Sequence, residues 1–201
     1  LLLATHAVLR DDPRLLYQAG WWLVLAAFLD AVDGKVARLT GTASPMGAQL
    51  DSLADAITFG AAPVVLAVTL INVEGPALDI HMHPRLLVAA PIIYACCAVL
   101  RLARFNLEHH GDDPNAPHDA FIGLPSPGAA GVPTALVLLY FGITDTRLVT
   151  LSPQSVDWIR EGILIAMPFL ILLMGLLMVS RIPYPHPHLR HARIHRAHHE
   201  D

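Results

Sequence analysis

The chain has 201 residues, 54% hydrophobic and only 15% charged, with a formal charge of -4. A soluble domain carries about 25% charged residues, so this composition excludes an ordinary water-soluble globule, and the mild acidity excludes a protein that grips nucleic acid through bulk charge. It predicts an all-α, polytopic transmembrane helix bundle forming one domain over residues 1–185, followed by a His/Arg-rich tail over 186–201.

Leu1 to Leu9 reads as the end of a first helix, shorter than the roughly 20 residues a bilayer requires. The expectation is therefore about six helices, the first truncated, with part of the N-terminus missing. Arg10 to Arg14 is a charged turn around Pro13. From Leu15 the chain is apolar to Leu29, with Trp21 and Trp22 suited to a headgroup level, and the helix continues through Asp30 to Leu39. A third span, Ala56 to Val73, follows directly from Asp51 and Asp55; its Gly60 and Pro63 permit close packing or a kink.

Glu74 to Pro84 is a polar connection whose His81 and His83 read as ordinary loop histidines. The fourth span, Leu86 to Leu100, is completed by Arg101 to Asn106. Within it Cys96 and Cys97 are adjacent, a spacing that suits neither a disulfide nor a metal, and read as small core residues. Glu108 to Asp119 has the length of a loop over a site. Phe121 to Thr144 is long enough for a span but rich in Gly and Pro at first, so regular helix is expected from near Gly128. Asp145 to Glu161 reads as a loop and Gly162 to Ser180 as the last span.

The stretch from Asp30 to Asp55 concentrates the chemistry. Asp30 and Asp33 are three apart and Asp51 and Asp55 four apart, so in helices each pair projects from one face. Two such helices side by side direct four carboxylates into one volume, which calls for a compensating cation. Oxygen-only donors suit a hard divalent ion, magnesium or manganese, and a two-metal site with one carboxylate left as a base is the first expectation. Between the pairs, Gly34 and Ala37 keep the wall small and Arg38 offers a forked cation suited to phosphate. Gly41, Ser44, Pro45 and Gly47 make a turn.

The pattern D-x2-D-G-x2-A-R-x8-G-x3-D-x3-D, filled at all eight fixed positions, resembles the signature of the CDP-alcohol phosphotransferase family of integral membrane enzymes. The resemblance implies a CDP-linked lipid donor, an alcohol acceptor and CMP as leaving group. It implies Asp30, Asp33 and Asp51 as the main ligands of two divalent cations, with Asp55 as the base that also reaches the second metal. Gly34, Ala37, Arg38, Ser44 and Gly47 are implied to bind the CDP-lipid, although Ser44 is equally well read as a turn residue and Arg38 also suits an interface anchor. The family further implies a homodimer.

Three more stretches, Arg101 to Asn106, Phe121 to Pro127 and Val179 to Pro185, resemble the branch of that family that uses CDP-diacylglycerol and L-serine. Serine's carboxylate requires a cation; Arg101 and Arg104 share a helix face and are candidates to bind it or a phosphate, with Asn106 as a neutral hydrogen-bonding partner. Both arginines are also explained by the preference for positive charge inside. Glycerol 3-phosphate or an inositol phosphate is the alternative acceptor. An ion-coupled transporter is the alternative class, because intramembrane Asp residues also mark ion pathways.

If the second helix runs inward, the motif face collects Lys35, Arg38, Arg101, Arg104, Arg181, Arg190, Arg193 and Arg196, most of the thirteen basic residues. The positive-inside rule then predicts a cell (cytoplasmic) membrane protein with its site on the cytoplasmic side. The tail carries His186, His188, His191, His195, His198 and His199, half of the twelve histidines, and reads as solvated chain.

Overall fold

Asp12 and Pro13 begin the first long helix: Asp12 Oδ1 accepts from the Arg14 backbone N–H at 3.0 Å, and proline in front of a helix start sacrifices no hydrogen bond. In the computed structural model, which describes residues 2–10, 12–40, 44–109, 120–144 and 152–185, α1 spans Leu2–Arg10 and α2 Arg14–Thr40. Ser44 caps α3, Pro45–Asp55, its Oγ accepting from Gly47 N at 3.0 Å. The chain then passes without a break through a π-helical segment, Ala56–Ala61, into α4, Ala62–Glu74.

The widened turn has an identifiable cause. Pro63 has no N–H, so the Phe59 carbonyl one turn earlier loses its helical partner. The hydroxyl of Tyr94, a fully buried residue of the next helix, donates to that carbonyl at 3.0 Å. Nearby, Ala62 N–H reaches back five residues to Ile57 O. The π segment therefore begins at the residue after Asp55 and is fastened to the neighbouring helix.

A 3-10 turn, Pro76–Leu78, leads to α5, Pro84–His109; α6 is Ser126–Gly142 and α7 Pro153–Val179. Two three-residue strands, β1 (Ala120–Ile122) and β2 (Pro183–Pro185), pair antiparallel. The α5 and α7 backbones approach closely at Gly175, where a Cβ would lie 3.1 Å from Tyr94 Cα, the small-residue contact that membrane helices favour.

Among the described residues, four helical stretches, Arg14–Val36, Met46–Glu74, Pro84–Leu107 and Pro153–Val179, are long and apolar enough to cross a membrane, and Ser126–Gly142 is a shorter apolar helix. Trp21, Phe28, Ile92, Val99 and Phe169 project outward, while Leu70, Tyr94, Val137, Leu164 and Ile171 pack inside. A molecule apolar both at its centre and around its girdle is solvated by lipid. The protein is a multi-pass membrane protein, an all-α bundle with the addition of one short strand pair.

At the end of the bundle away from the aspartates, Arg160 Nη2 lies 2.8 Å from Glu74 Oε2 and 2.6 Å from the Tyr140 hydroxyl, which itself donates to Glu74 Oε2 at 2.7 Å. This triad joins α4, α6 and α7. It also accounts for a correction: the expected loop Asp145–Glu161 is helical from Pro153 onward. Ser152 caps that helix by accepting from Ser155 N at 3.2 Å, and Arg160 has a partner inside the bundle. Residues 145–151 lie outside the described residues, as do 110–119 of the expected loop over the site and the tail 186–201. Helix α6 starts at Ser126, slightly ahead of the expected Gly128. Cys97 is buried as expected, but Cys96 is exposed; both are unbridged.

Candidate active site

Asp30 and Asp33 occupy the last turns of α2, and Asp51 and Asp55 the last turn and a half of α3. The π segment that continues α3 packs against α2 and brings the C-terminal end of α3 towards it. As a result the Asp30 and Asp55 carboxyls come within hydrogen-bonding distance of each other. Asp51 lies within electrostatic range of both, and Asp33 within range of Asp30. Asp30 and Asp55 are partly buried, whereas Asp33 and Asp51 are exposed.

Carboxylates only accept when ionised, so two facing each other require a shared proton or a cation between them. Asp55 Oδ1 is buried and receives no hydrogen bond from a described donor. The donor set therefore fits a hard divalent ion. Among the described residues, no three His, Cys, Asp or Glu side chains already stand at ligating positions; the structure displays oxygen donors brought together rather than a preformed cage.

The opposite wall comes from α5 and α6. Arg101 is within electrostatic range of Asp55, and its Nη1 donates to Ser126 Oγ at 2.7 Å. Arg104 follows on α5, partly buried. Asn106 faces α3: its Nδ2 donates to Ser52 Oγ at 3.1 Å, which ties the helix carrying Asp51 and Asp55 to α5. Sequence reasoning missed both serines. Ser126 could have been noticed as the hydroxyl between two prolines in an uncharged stretch of membrane length, and Ser52 as the polar residue next to Asp51.

The residues between the aspartates divide by role in the fold. Ser44 is the N-cap of α3, and Gly47 leaves room for that cap, since a Cβ there would stand 3.1 Å from Ser44 Oγ. Gly34 is different: a Cβ would meet nothing within 4 Å, so packing does not require glycine. Ala37 and Arg38 lie on α2, with side chains outside the described residues. Next to the acidic cluster an apolar groove of about 190 Å³ runs between α2, the π segment and α6, lined by Ala27, Thr58, Pro63, Pro127, Gly131 and Leu138. Ala27 and Thr58 are each three residues from an aspartate of the cluster.

Residues 1–169 match the family model described as CDP-alcohol phosphatidyltransferase. The chain belongs to the CDP-alcohol phosphatidyltransferase family. Members of this family generally depend on divalent metal ions, in keeping with the oxygen donors of α2 and α3. A Helicobacter pylori protein named CDP-diacylglycerol–serine O-phosphatidyltransferase is 35% identical over 167 residues, 83% of this chain and 60% of that protein. Proteins of the same name from Methanocaldococcus jannaschii and Bacillus subtilis are each 32% identical, over 89% and 92% of this chain and 66% and 82% of their own lengths. The chain thus spans about 60% of the length of the Helicobacter relative. Away from the site, the loop histidines have local partners: His81 Nε2 lies 3.3 Å from Asp79 Oδ1, and His83 Nδ1 accepts from Arg85 N at 3.2 Å.

Proposed function

We propose that this CDP-alcohol phosphatidyltransferase moves a phosphatidyl group from CDP-diacylglycerol to the hydroxyl of L-serine, giving phosphatidylserine and CMP. The observation that carries the reading is the convergence of Asp30 and Asp55, with Arg101 within electrostatic range of Asp55. The relatives' shared name and the three stretches ending at Asn106, Pro127 and Pro185 support serine as acceptor.

In this reading Asp30, Asp33, Asp51 and Asp55 hold two divalent cations, magnesium or manganese. When bound, such ions neutralise a diphosphate and the charge that develops on a leaving phosphate oxygen. The chain's own residues do the rest. Asp55, the more enclosed carboxylate of its pair, accepts the proton from the serine hydroxyl as that oxygen bonds to the lipid-side phosphorus. The bond from that phosphorus to the CMP oxygen breaks, and CMP leaves with the electron pair.

Gly34 gives the nucleotide diphosphate a close approach to α2, and Ala37, Arg38, Ser44 and Gly47 complete the CDP-lipid site. The apolar groove past Ala27 and Thr58 takes hydrocarbon from the donor without moving it out of the membrane. Arg101 and Arg104 hold the serine carboxylate, and Asn106 steadies α3. The distribution of basic residues favours a cytoplasmic active face in the cell membrane, and the family resemblance favours a homodimer.

A panel of acceptors tests the reading. Purified protein supplied with CDP-diacylglycerol and magnesium or manganese should release CMP with L-serine and not with glycerol 3-phosphate or an inositol phosphate. Release only with a phosphorylated polyol moves the protein to the alternative acceptor. Metal flux through vesicles with no CMP release for any acceptor replaces the enzyme by a transporter.

A further inference from the structure

A hydroxyl buried between apolar helices is costly unless it is hydrogen-bonded. Ser126 is 5% exposed, in the first turn of α6, and its Oγ accepts the 2.7 Å hydrogen bond from Arg101 Nη1. Arg101 is the cation of α5 within electrostatic range of Asp55. A guanidinium on a long side chain has many rotamers, and fixing one of its nitrogens restricts where the remaining donors point.

The position of Ser126 is itself determined by the end of α7. Gly123 adopts φ +89°, and an added Cβ would meet Met178 O at 2.4 Å. Gly123 N donates to Ile182 O at 3.0 Å and Leu124 N to Leu177 O at 3.1 Å. Pro125 and Pro127, with φ restricted by their rings, flank the serine. The chain from Gly123 to Pro127 is thereby held against the C-terminal end of α7, and Ser126 is presented to α5 from a fixed support.

The geometry points to Ser126 as a positioning residue: its hydroxyl orients the Arg101 guanidinium so that the acceptor's carboxylate is bound beside Asp55. This rests on the serine-transferase reading above and adds a specificity element to it. Ser126 touches no reacting atom in this account; it acts through Arg101. A bond that merely clamps α5 to α6 would have different consequences, because loss of a clamp lowers the amount of folded enzyme and leaves its substrate affinities alone.

The test is a double-substitution cycle read as separate KM values for acceptor and donor. Ser126→Ala should raise KM for L-serine about tenfold while KM for CDP-diacylglycerol stays within twofold, and Ser126→Thr, which keeps the hydroxyl, should recover most of the loss. In an Arg101→Lys background, Ser126→Ala should have no further effect on KM for serine. Equal effects of Ser126→Ala in both backgrounds, or a fall in maximal rate with both KM values unchanged, overturns the inference alone. Wild-type protein that releases no CMP with serine overturns the function reading and this inference together.

Discussion

Asp30 on α2 and Asp55 on α3 face each other within hydrogen-bonding distance although 24 residues of chain lie between them, and no described donor reaches the buried Asp55 Oδ1. Such a pair needs a shared proton or a counter-charge, and in the proposed function divalent cations supply the charge. The two carboxylates should then respond differently to neutralisation. Asp55→Asn should lower CMP release by about two to four orders of magnitude, the range for loss of a general base, while much of the CDP-lipid binding survives. Asp30→Asn should weaken cation-dependent donor binding as well. Equal and complete loss of donor binding in both variants would show that the roles are misassigned.

Removing divalent cations should destabilise the wild-type protein more than the substituted ones. A ligand at a hundred times its Kd stabilises the folded state by about 2.7 kcal/mol, and that increment should disappear from the melting curve in detergent when a chelator is added. Asp30→Asn should show a smaller chelator effect. A wild-type melting temperature indifferent to chelation would contradict the cation site.

Gly34 separates function from packing. Alanine there meets no neighbour within 4 Å, and replacing glycine inside a helix should stabilise by about 0.5–1 kcal/mol. The expected outcome is an equally or more stable protein whose KM for CDP-diacylglycerol rises at least severalfold. An unchanged KM would remove Gly34 from the donor site.

Gly123 should behave in the opposite way. A side chain at φ +89° with Met178 O at 2.4 Å from its Cβ is strained on both counts, and Gly123→Ala should cost more than about 1 kcal/mol, seen as a lower thermal midpoint in detergent. A midpoint equal to wild type would mean that the connection to α7 relaxes freely.

The triad at the far end of the bundle is predicted to matter for stability only. Glu74→Gln removes the carboxylate 2.8 Å from Arg160 Nη2, leaving Asp157 Oδ1 3.8 Å from Nη1, and should destabilise by about 1.5–3 kcal/mol, the range for hydrogen bonds to charged groups. Catalytic constants of the folded protein should remain those of wild type. A change in KM for either substrate would connect this end to the site.

Much of this architecture was legible because membrane solvation writes itself into the sequence: long uncharged runs between charged turns located the spans, and the spacing of Asp30, Asp33, Asp51 and Asp55 identified the chemically distinctive stretch. Where tertiary partners decide, reading along the chain fails. The start of α7 reads as a loop along the chain, yet it is helical, and Glu74, more than 80 residues away, is what accommodates its Arg160. The π segment shows the same limit, since Pro63 announces a disturbance but only Tyr94 determines how the orphaned Phe59 carbonyl is satisfied. Ser126 and Ser52 carried only weak signals for a similar reason: a lone hydroxyl acquires its role from the Arg101 or Asn106 opposite it.

In the proposed function the carboxylates of α2 and α3 together bind a pair of divalent ions. Manganese titration followed by electron paramagnetic resonance tests it most directly. The account predicts two bound ions per chain, magnetically coupled as expected for a separation of about 4 Å, with the coupling lost in Asp51→Asn and in Asp30→Asn. A single ion, no ion, or a spectrum unaltered by those substitutions would contradict it.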